Sequence, residues 1–252
     1  MITMHIDCSM GAAGDMLTAA LLELLSGKDR SSFVDVFNSL GIPGVVMETE
    51  PSIKCGVSGT HVRMKVNGVE EGHSHGHDAH EHKHRSMTEI KDIVNDLEGL
   101  PGKVRDDVMN VYTIIADSES KAHGVPVSEV HFHEVGAMDA IADITAVCML
   151  MDRIDAERVT ASPVNAGSGT VRCAHGILPV PAPATAIILE GIPYYSGDIQ
   201  SELCTPTGAA LLKYFVAEYG GMPSMAIKAE GFGMGTKDFE KPNCVRITLG
   251  EK

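Results

Sequence analysis

The chain has 252 residues, 44% of them hydrophobic and 21% charged, which excludes a disordered or low-complexity polymer and allows one large domain or two lobes with a real core. Acidic residues outnumber basic ones 34 to 20, for a formal charge of −14, so a nucleic-acid backbone is a poor partner. No apolar run approaches the roughly 18 residues of a membrane helix, and the start lacks the basic and apolar regions of an export signal. The expectation is a cytoplasmic protein with no membrane partner. Six scattered cysteines without a C-x-x-C pair agree with free thiols in a reduced compartment.

Alternation over 3–7 predicts a strand, followed by a glycine-containing loop over 8–14. Apolar residues at Met16, Leu17, Ala20, Leu21, Leu24 and Leu25 predict a helix over 15–25. A second helix is expected near 32–40, stopped by Gly41-Ile-Pro-Gly44. Two strands follow over 45–54 and 60–66. Residues 70–85 are polar and low in complexity, and read as a mobile insert. Ser86-x-x-Glu89 is a capping box for a helix to about 97, and Pro101 suits the first turn of a helix reaching 122. Residues 125–135 read as strand or extended loop, 138–153 as a strong helix, and 159–171 as strand and turn. Pro179, Pro181 and Pro183 mark a rigid connection into a helix near 184–189. Thr205-Pro206 caps a further helix through about 219, and 225–230 and 245–249 read as closing strands. Interspersed strands and helices predict a layered α/β fold, with α+β as the variant, built as a sheet with flanking helices.

Five segments carry chemistry-bearing residues. Six of the 12 histidines, His73, His75, His77, His80, His82 and His84, alternate with small or polar residues. Neutral imidazoles on a flexible chain can gather around Ni, Zn, Cu or Co, which suits delivery or storage better than catalysis. In Val130-His-Phe-His-Glu-Val-Gly-Ala-Met-Asp139, an extended chain puts His131 and His133 on one face, with Glu134 beside them. Asp139 and Asp143 share a helix face at i and i+4. This set can form a divalent-metal or acid/base centre, but surface histidines before an acid-rich helix start have the same spacing. In Asp7-Cys-Ser-Met-Gly-Ala-Ala-Gly-Asp-Met16 the loop with Gly11 and Gly14 can offer backbone N–H groups to a phosphate, or Asp7, Cys8 and Asp15 can hold a cation. A tight strand-to-helix turn fits equally, and the lysine of a P-loop is missing. Arg172, in a run of small residues, can pair with a phosphate or carboxylate, while Cys173 and His175 are either soft ligands or structural neighbours. Gly231-Phe-Gly-Met-Gly-Thr-Lys-Asp238, with Gly233 and Gly235, resembles a phosphate-cradling loop without being a Walker sequence, and for this segment and that around Arg172 turns and packing fit at least as well.

Taken together, these stretches resemble the nickel-insertion family that matures the nickel-pincer nucleotide cofactor of lactate racemase. The match runs through Asp7–Met16, His131-Phe-His-Glu-Val-Gly136, the block from Ser162 to Thr185, Glu202-Leu-Cys-Thr-Pro-Thr-Gly208 and Gly231–Asp238, so it covers nearly the whole chain. The resemblance implies an enzyme, a lyase-class cyclometallase, that inserts Ni(II) into a pyridinium bisthiocarboxylate mononucleotide using CTP with Mg or Mn. Soft sulfurs and a carbanion-like ring carbon suit Ni(II), and the ring C–H needs a base. On this resemblance His131, His133 and Glu134 are candidate bases or transient nickel ligands. Arg172 and the glycine loops (Gly11, Gly14, Gly233 and Gly235) are candidates for the substrate phosphate. The histidine run, Asp7, Asp15 and Asp139 are candidate metal ligands. Family members are usually longer, and the resemblance places CTP binding in a C-terminal domain absent from this chain. The chain is then expected to be a fragment or one of two separately encoded halves, binding nickel or precursor without turning over alone. Its partners are the nucleotide precursor, the C-terminal domain or partner chain, and an acceptor such as lactate racemase. Two other readings stay open: a non-catalytic nickel chaperone or store, and a domain that binds a phosphate ligand.

Overall fold

The structure, a computed structural model, describes residues 1–70, 85–132, 134–173 and 175–251. His133 and the six histidines between His73 and His84 lie outside the described residues. Strand β1 (Ile2–Asp7) leads through a tight loop into α1 (Gly14–Glu23), and α2 (Gly27–Ser39) follows with Ser26 capping its start. A long hairpin, β2 (Val45–Lys54) and β3 (Val57–Val66), turns at Cys55-Gly56, and β4 (Val69–Glu70) folds back on β3. Helix α3 (Met87–Asp96) opens with the expected capping box, Ser86 and Glu89 each bonding the other's amide. Helices α4 (Gly102–His123) and α5 (Met138–Ile154) are the longest. The second half runs β5 (Arg158–Ala161), β6 (Val164–Asn165), β7 (Thr170–Cys173), β8 (Gly176–Pro179) and α6 (Pro183–Ile188). It closes with β9 (Tyr194–Tyr195), α7 (Pro206–Phe215), β10 (Glu218–Tyr219), β11 (Ala226–Met234) and β12 (Cys244–Glu251).

The architecture is mixed α/β. One mixed sheet runs β10-β5-β1-β12-β11-β3-β2, with β4 beside β3. β1 lies inside it, third from the β10 edge, antiparallel to β12 and parallel to β5. Two small pairs, β6 with β9 and β7 with β8, stand off the main sheet. Helix α1 lies on β11 and β3, α5 packs on α1, and α4 packs on α5 with α3, α6 and α7 around it. The core between sheet and helices is aliphatic: Met4 and Ile6 of β1, Leu17 and Leu21 of α1, Ile141 and Ile144 of α5, and Ile247 of β12 are all buried. Among the described residues no helix is long and apolar enough to cross a membrane, and all six cysteines are free thiols.

Two expectations are corrected, and the choice of strand or extended loop for 125–135 is decided for the loop. Residues 231–234 are not a phosphate loop but part of β11. Their glycines let α1 lie against the sheet, because a Cβ on Gly233 would stand 1.8 Å from the Met16 carbonyl oxygen and one on Gly231 2.1 Å from that of Ala20. Helix α7 ends at Phe215 rather than 219, since Glu218 and Tyr219 pair in parallel with Thr160 and Ala161 of β5. Residues 125–135 contain a 3₁₀ turn at Val127–Glu129 and a single bridge from Phe132 to Arg85, with no strand among the described residues.

That last segment is nevertheless firmly held. Phe132 is buried edge-on to Tyr112 of α4, with ring centroids 6.1 Å apart. The Tyr112 hydroxyl donates to the Val135 carbonyl at 3.1 Å, and the Arg85 guanidinium donates to the Gly136 carbonyl at 2.6 Å. Burying one such aromatic contributes about 1.5–3 kcal/mol, enough to fix the entry into α5. Glu134 is carried between these two anchored points.

Candidate functional site: an acidic cavity where three helices begin

A cavity of about 320 Å³ opens where α1, α5 and α7 begin. Its carboxylates are Asp15 of α1, Asp139 and Asp143 of α5, Glu134 before α5, and Glu202 before α7. Two backbone crossings create the convergence. The loops at 8–13 and 202–205 run side by side, with the Ala12 amide donating to the Leu203 carbonyl (3.1 Å) and the Thr205 amide to the Ala12 carbonyl (3.0 Å). Gly11, at φ +79°, and Gly208 make this approach feasible, because a Cβ on either would fall 2.0–2.1 Å from a carbonyl oxygen of the facing loop. Thr205 caps α7, its hydroxyl accepting from the Gly208 amide at 3.2 Å. Helices α1 and α5 start from Ala13 and Ala137, which offer no side-chain cap. In α1 the Asp143 carboxyl takes up the Asp15 amide, and each helix start adds a partial positive charge at the cavity.

The electrostatics are dominated by Asp143. Its carboxyl is pushed well above the usual carboxylate range, first by burial, then by the neighbouring Asp15 and Asp139 carboxylates; the Asp15 amide, donating to it, offsets only part of this. Its Oδ1 is buried without a hydrogen-bond partner among the described residues. Glu202 is pushed up to about 7, by burial first and then by Glu134, with Lys237 pulling the other way. The cavity thus holds a carboxyl that exchanges a proton near neutrality, the property a general base needs.

A second cavity, also about 320 Å³, shares Glu134, Val135, Glu202 and Pro206 with the first. Its walls include Val171, Leu178 and Pro183, together with Glu119 and His123 from α4 and Cys173 and His175 from the β7–β8 hairpin.

Of the residues singled out in the sequence, Asp15, Asp139, Glu134 and Gly14 meet at the acidic cavity. Gly14 makes room for Asp143, whose carboxylate lies 2.7 Å from where a Cβ would be. Asp7 does not join them: it ends β1 opposite Arg246, its Oδ1 accepting from the Ser9 amide at 2.9 Å, and it lines neither cavity. His131 is exposed and lines neither. Arg172 is exposed between Val171 and Cys173, which face the second cavity, so strand alternation turns it away. Gly11 serves the loop crossing and Gly233 the packing of α1; Gly235 faces the Asn243 amide, 2.6 Å from its missing Cβ. Sequence reasoning gave no role to Glu202, Glu119 or His123. The signals on offer were the i, i+4 spacing of Glu119 and His123 and the place of Glu202 at the head of the matching stretch Glu202–Gly208. Among the described residues no three or more His, Cys, Asp or Glu side chains are already set to hold a metal ion.

The family described as "Nickel insertion protein" matches residues 4–252. Proteins named pyridinium-3,5-bisthiocarboxylic acid mononucleotide nickel insertion protein are similar along the chain. The one from Clostridium kluyveri is 41% identical over 254 residues, covering 99% of this chain and 62% of its own. That from Geobacillus kaustophilus is 38% identical over 250 residues, covering 99% and 60%. That from Desulfitobacterium hafniense (strain DSM 10664 / DCB-2) is 36% identical over 247 residues, covering 98% and 58%. The chain spans about 60% of the length of these relatives. No solved structure matches it.

Proposed function

The chain belongs to the nickel insertion protein family, and from that premise we propose that its acidic cavity is where Ni(II) enters a pyridinium-3,5-bisthiocarboxylic acid mononucleotide. The observation that carries the reading is the meeting of Glu202, titrating at about 7, with Asp15, Asp139 and Asp143 at three helix N-termini. Nickel is a substrate here. Two thiocarboxylate sulfurs and the ring carbon between them displace weaker oxygen ligands, which Ni(II) favours for its softer donors. As the Ni–C bond forms, the ring C–H bond breaks; its electron pair goes to the metal and its proton to the Glu202 carboxylate, so nickel stays Ni(II). Asp15 and Asp139 attract the incoming cation, and the partial positive charge where α1, α5 and α7 begin offsets the precursor's negative charge. CTP with Mg or Mn as cosubstrate, and lactate racemase as the destination of the product, complete the proposal as a lyase-type metal insertion.

The test incubates the chain with Ni(II), CTP, Mg and the precursor, with and without the remaining region of a longer relative supplied in trans. Mass spectrometry reads the product. A nickel adduct that has lost the ring proton, formed by the wild type and strongly reduced in Glu202→Gln, is the expected result. No adduct under either condition refutes the proposal. The six histidines between His73 and His84 favour a second reading, a nickel store. Deleting 72–84 separates the two, because a store loses most of its bound nickel while an insertase keeps its turnover when nickel is plentiful.

A further inference from the structure

The second cavity contains a group of side chains unlike the first. His123, in the last turn of α4, and His175, on the β7–β8 turn, come from elements far apart in sequence, yet their rings lie with centroids 4.8 Å apart and planes tilted by 52°. Two imidazoles bound to one ion at metal–nitrogen distances of about 2.0–2.1 Å have centroids about 4.5–5.2 Å apart for bond angles between square and tetrahedral. The observed spacing falls inside that window. Glu119 lies one turn before His123, its Oε2 3.3 Å from the His123 Nε2. A hydrogen bond there places the proton on Nε2 and leaves Nδ1 with a free lone pair, the arrangement carboxylates commonly impose on metal-binding histidines. Cys173 lines the same cavity two residues before His175. The imidazoles are exposed at the mouth, and Glu119 and Cys173 sit deeper.

From this geometry we infer that His123, His175 and Cys173, oriented by Glu119, form a loading site for a soft divalent cation, separate from the oxygen-only cavity beside it. The two imidazoles are already close, and the thiol completes the site by a side-chain rotation, losing its proton on coordination. Nitrogen and sulfur donors select Ni(II), Zn(II) or copper over Mg(II) and Mn(II), whereas the carboxylates of the neighbouring cavity have the opposite preference. The shared lining residues Glu134 and Glu202 put the two cavities side by side, so a captured ion passes from one to the other along these carboxylates rather than through bulk water. That the ion is nickel rests on the proposed insertion; the site itself does not.

The test adds one equivalent of Ni(II) to the full chain and reads the near-ultraviolet thiolate-to-nickel charge-transfer band. The histidine run at 73–84 has no sulfur and contributes nothing to this band. A band that survives excess Mg(II), disappears in Cys173→Ser and weakens at least tenfold in apparent affinity in His123→Ala and His175→Ala is expected. No band, or one that Cys173→Ser leaves intact, overturns the site. The same variants enter the insertion assay, where the nickel concentration for half-maximal insertion rises at least tenfold. A band without any insertion leaves the site standing and removes the insertion reading; insertion without a band does the reverse.

Discussion

The two cavities are of similar volume and share a wall, yet their distinctive side chains come from different parts of the fold. The acidic cavity gathers carboxylates at the N-termini of α1, α5 and α7, where partial positive charge tolerates them. The neighbouring cavity gathers imidazoles and a thiol at the C-terminal turn of α4 and on a small hairpin off the main sheet. Oxygen donors line the cavity proposed to handle the precursor and its proton, nitrogen and sulfur donors the one proposed to receive a soft metal. On the roles proposed above, metal capture and C–H activation fall to separate donor sets joined by two shared carboxyls, Glu134 and Glu202.

The sharpest way to break this division is Glu202→Gln. Loss of a positioned general base typically costs about 10²–10⁴-fold in rate, and we expect the single-turnover insertion rate to fall within that range. Nickel capture, followed by the thiolate band, should persist.

Gly233→Ala attacks the acidic cavity through the fold. The added Cβ meets the Met16 carbonyl at 1.8 Å, so α1, which carries Asp15, has to shift. Overpacking of this kind costs about 1–3 kcal/mol. Each kcal/mol lowers the thermal midpoint by about 2–4 °C in a chain of this size. Insertion should decline with it, while the thiolate band, held by α4 and the hairpin, should remain.

Asp143→Asn is expected to act in the opposite direction on stability. Burial and two like charges raise the Asp143 carboxyl, so the folded state holds the proton more tightly than the unfolded chain. Its contribution is fully favourable below the usual carboxylate range and is lost as pH rises through the folded value; Glu202 adds a loss of the same sign around 7. At alkaline pH the neutral amide removes the repulsion, and a buried acceptor without a partner is worth about 1–3 kcal/mol. The thermal midpoint of Asp143→Asn should therefore exceed the wild type at alkaline pH and converge with it in acid, as melting curves at several pH values would show. A wild-type midpoint that rises with pH while the variant's does not would contradict the assignment.

Glu119→Gln is the mildest probe. Losing the carboxylate that orients a metal-binding histidine typically costs about 10–100-fold in metal affinity, and partial replacement by an amide puts the expected loss at about tenfold. Competitive titration with a chromogenic chelator measures it for Ni(II), with Mg(II)-dependent steps unaffected.

The parts of this molecule legible in its sequence are those determined by nearby residues. The Ser86 capping box, α5 and the β2–β3 hairpin follow from i+3, i+4 and i+2 relations, and the structure places them where those relations predict. The glycines at 231 and 233 were misread because their role is set by α1, distant in sequence; a loop glycine and a strand glycine under a helix look alike in isolation. Helix α7 stops early because β5 recruits Glu218 and Tyr219, a non-local pairing that outweighs local helical preference. In the candidate site, Asp139 and Asp143 were visible as a helical pair, but their meeting with Asp15 depends on α1 packing against α5. Glu202 heads a stretch that resembles the family, but its role was not legible, since its altered acidity comes from burial and from Glu134, neither of which is a local property.

The central claim is that Glu202 accepts the ring proton as nickel enters. Its most direct test is the single-turnover insertion rate across neutral pH, measured for wild type and Glu202→Gln with ordinary precursor and with precursor deuterated at the reacting ring carbon. The account predicts a wild-type rate that rises with pH through about 7 and slows on deuteration, and a slow variant without that rise. A variant that keeps both the wild-type rate and its pH dependence would contradict it.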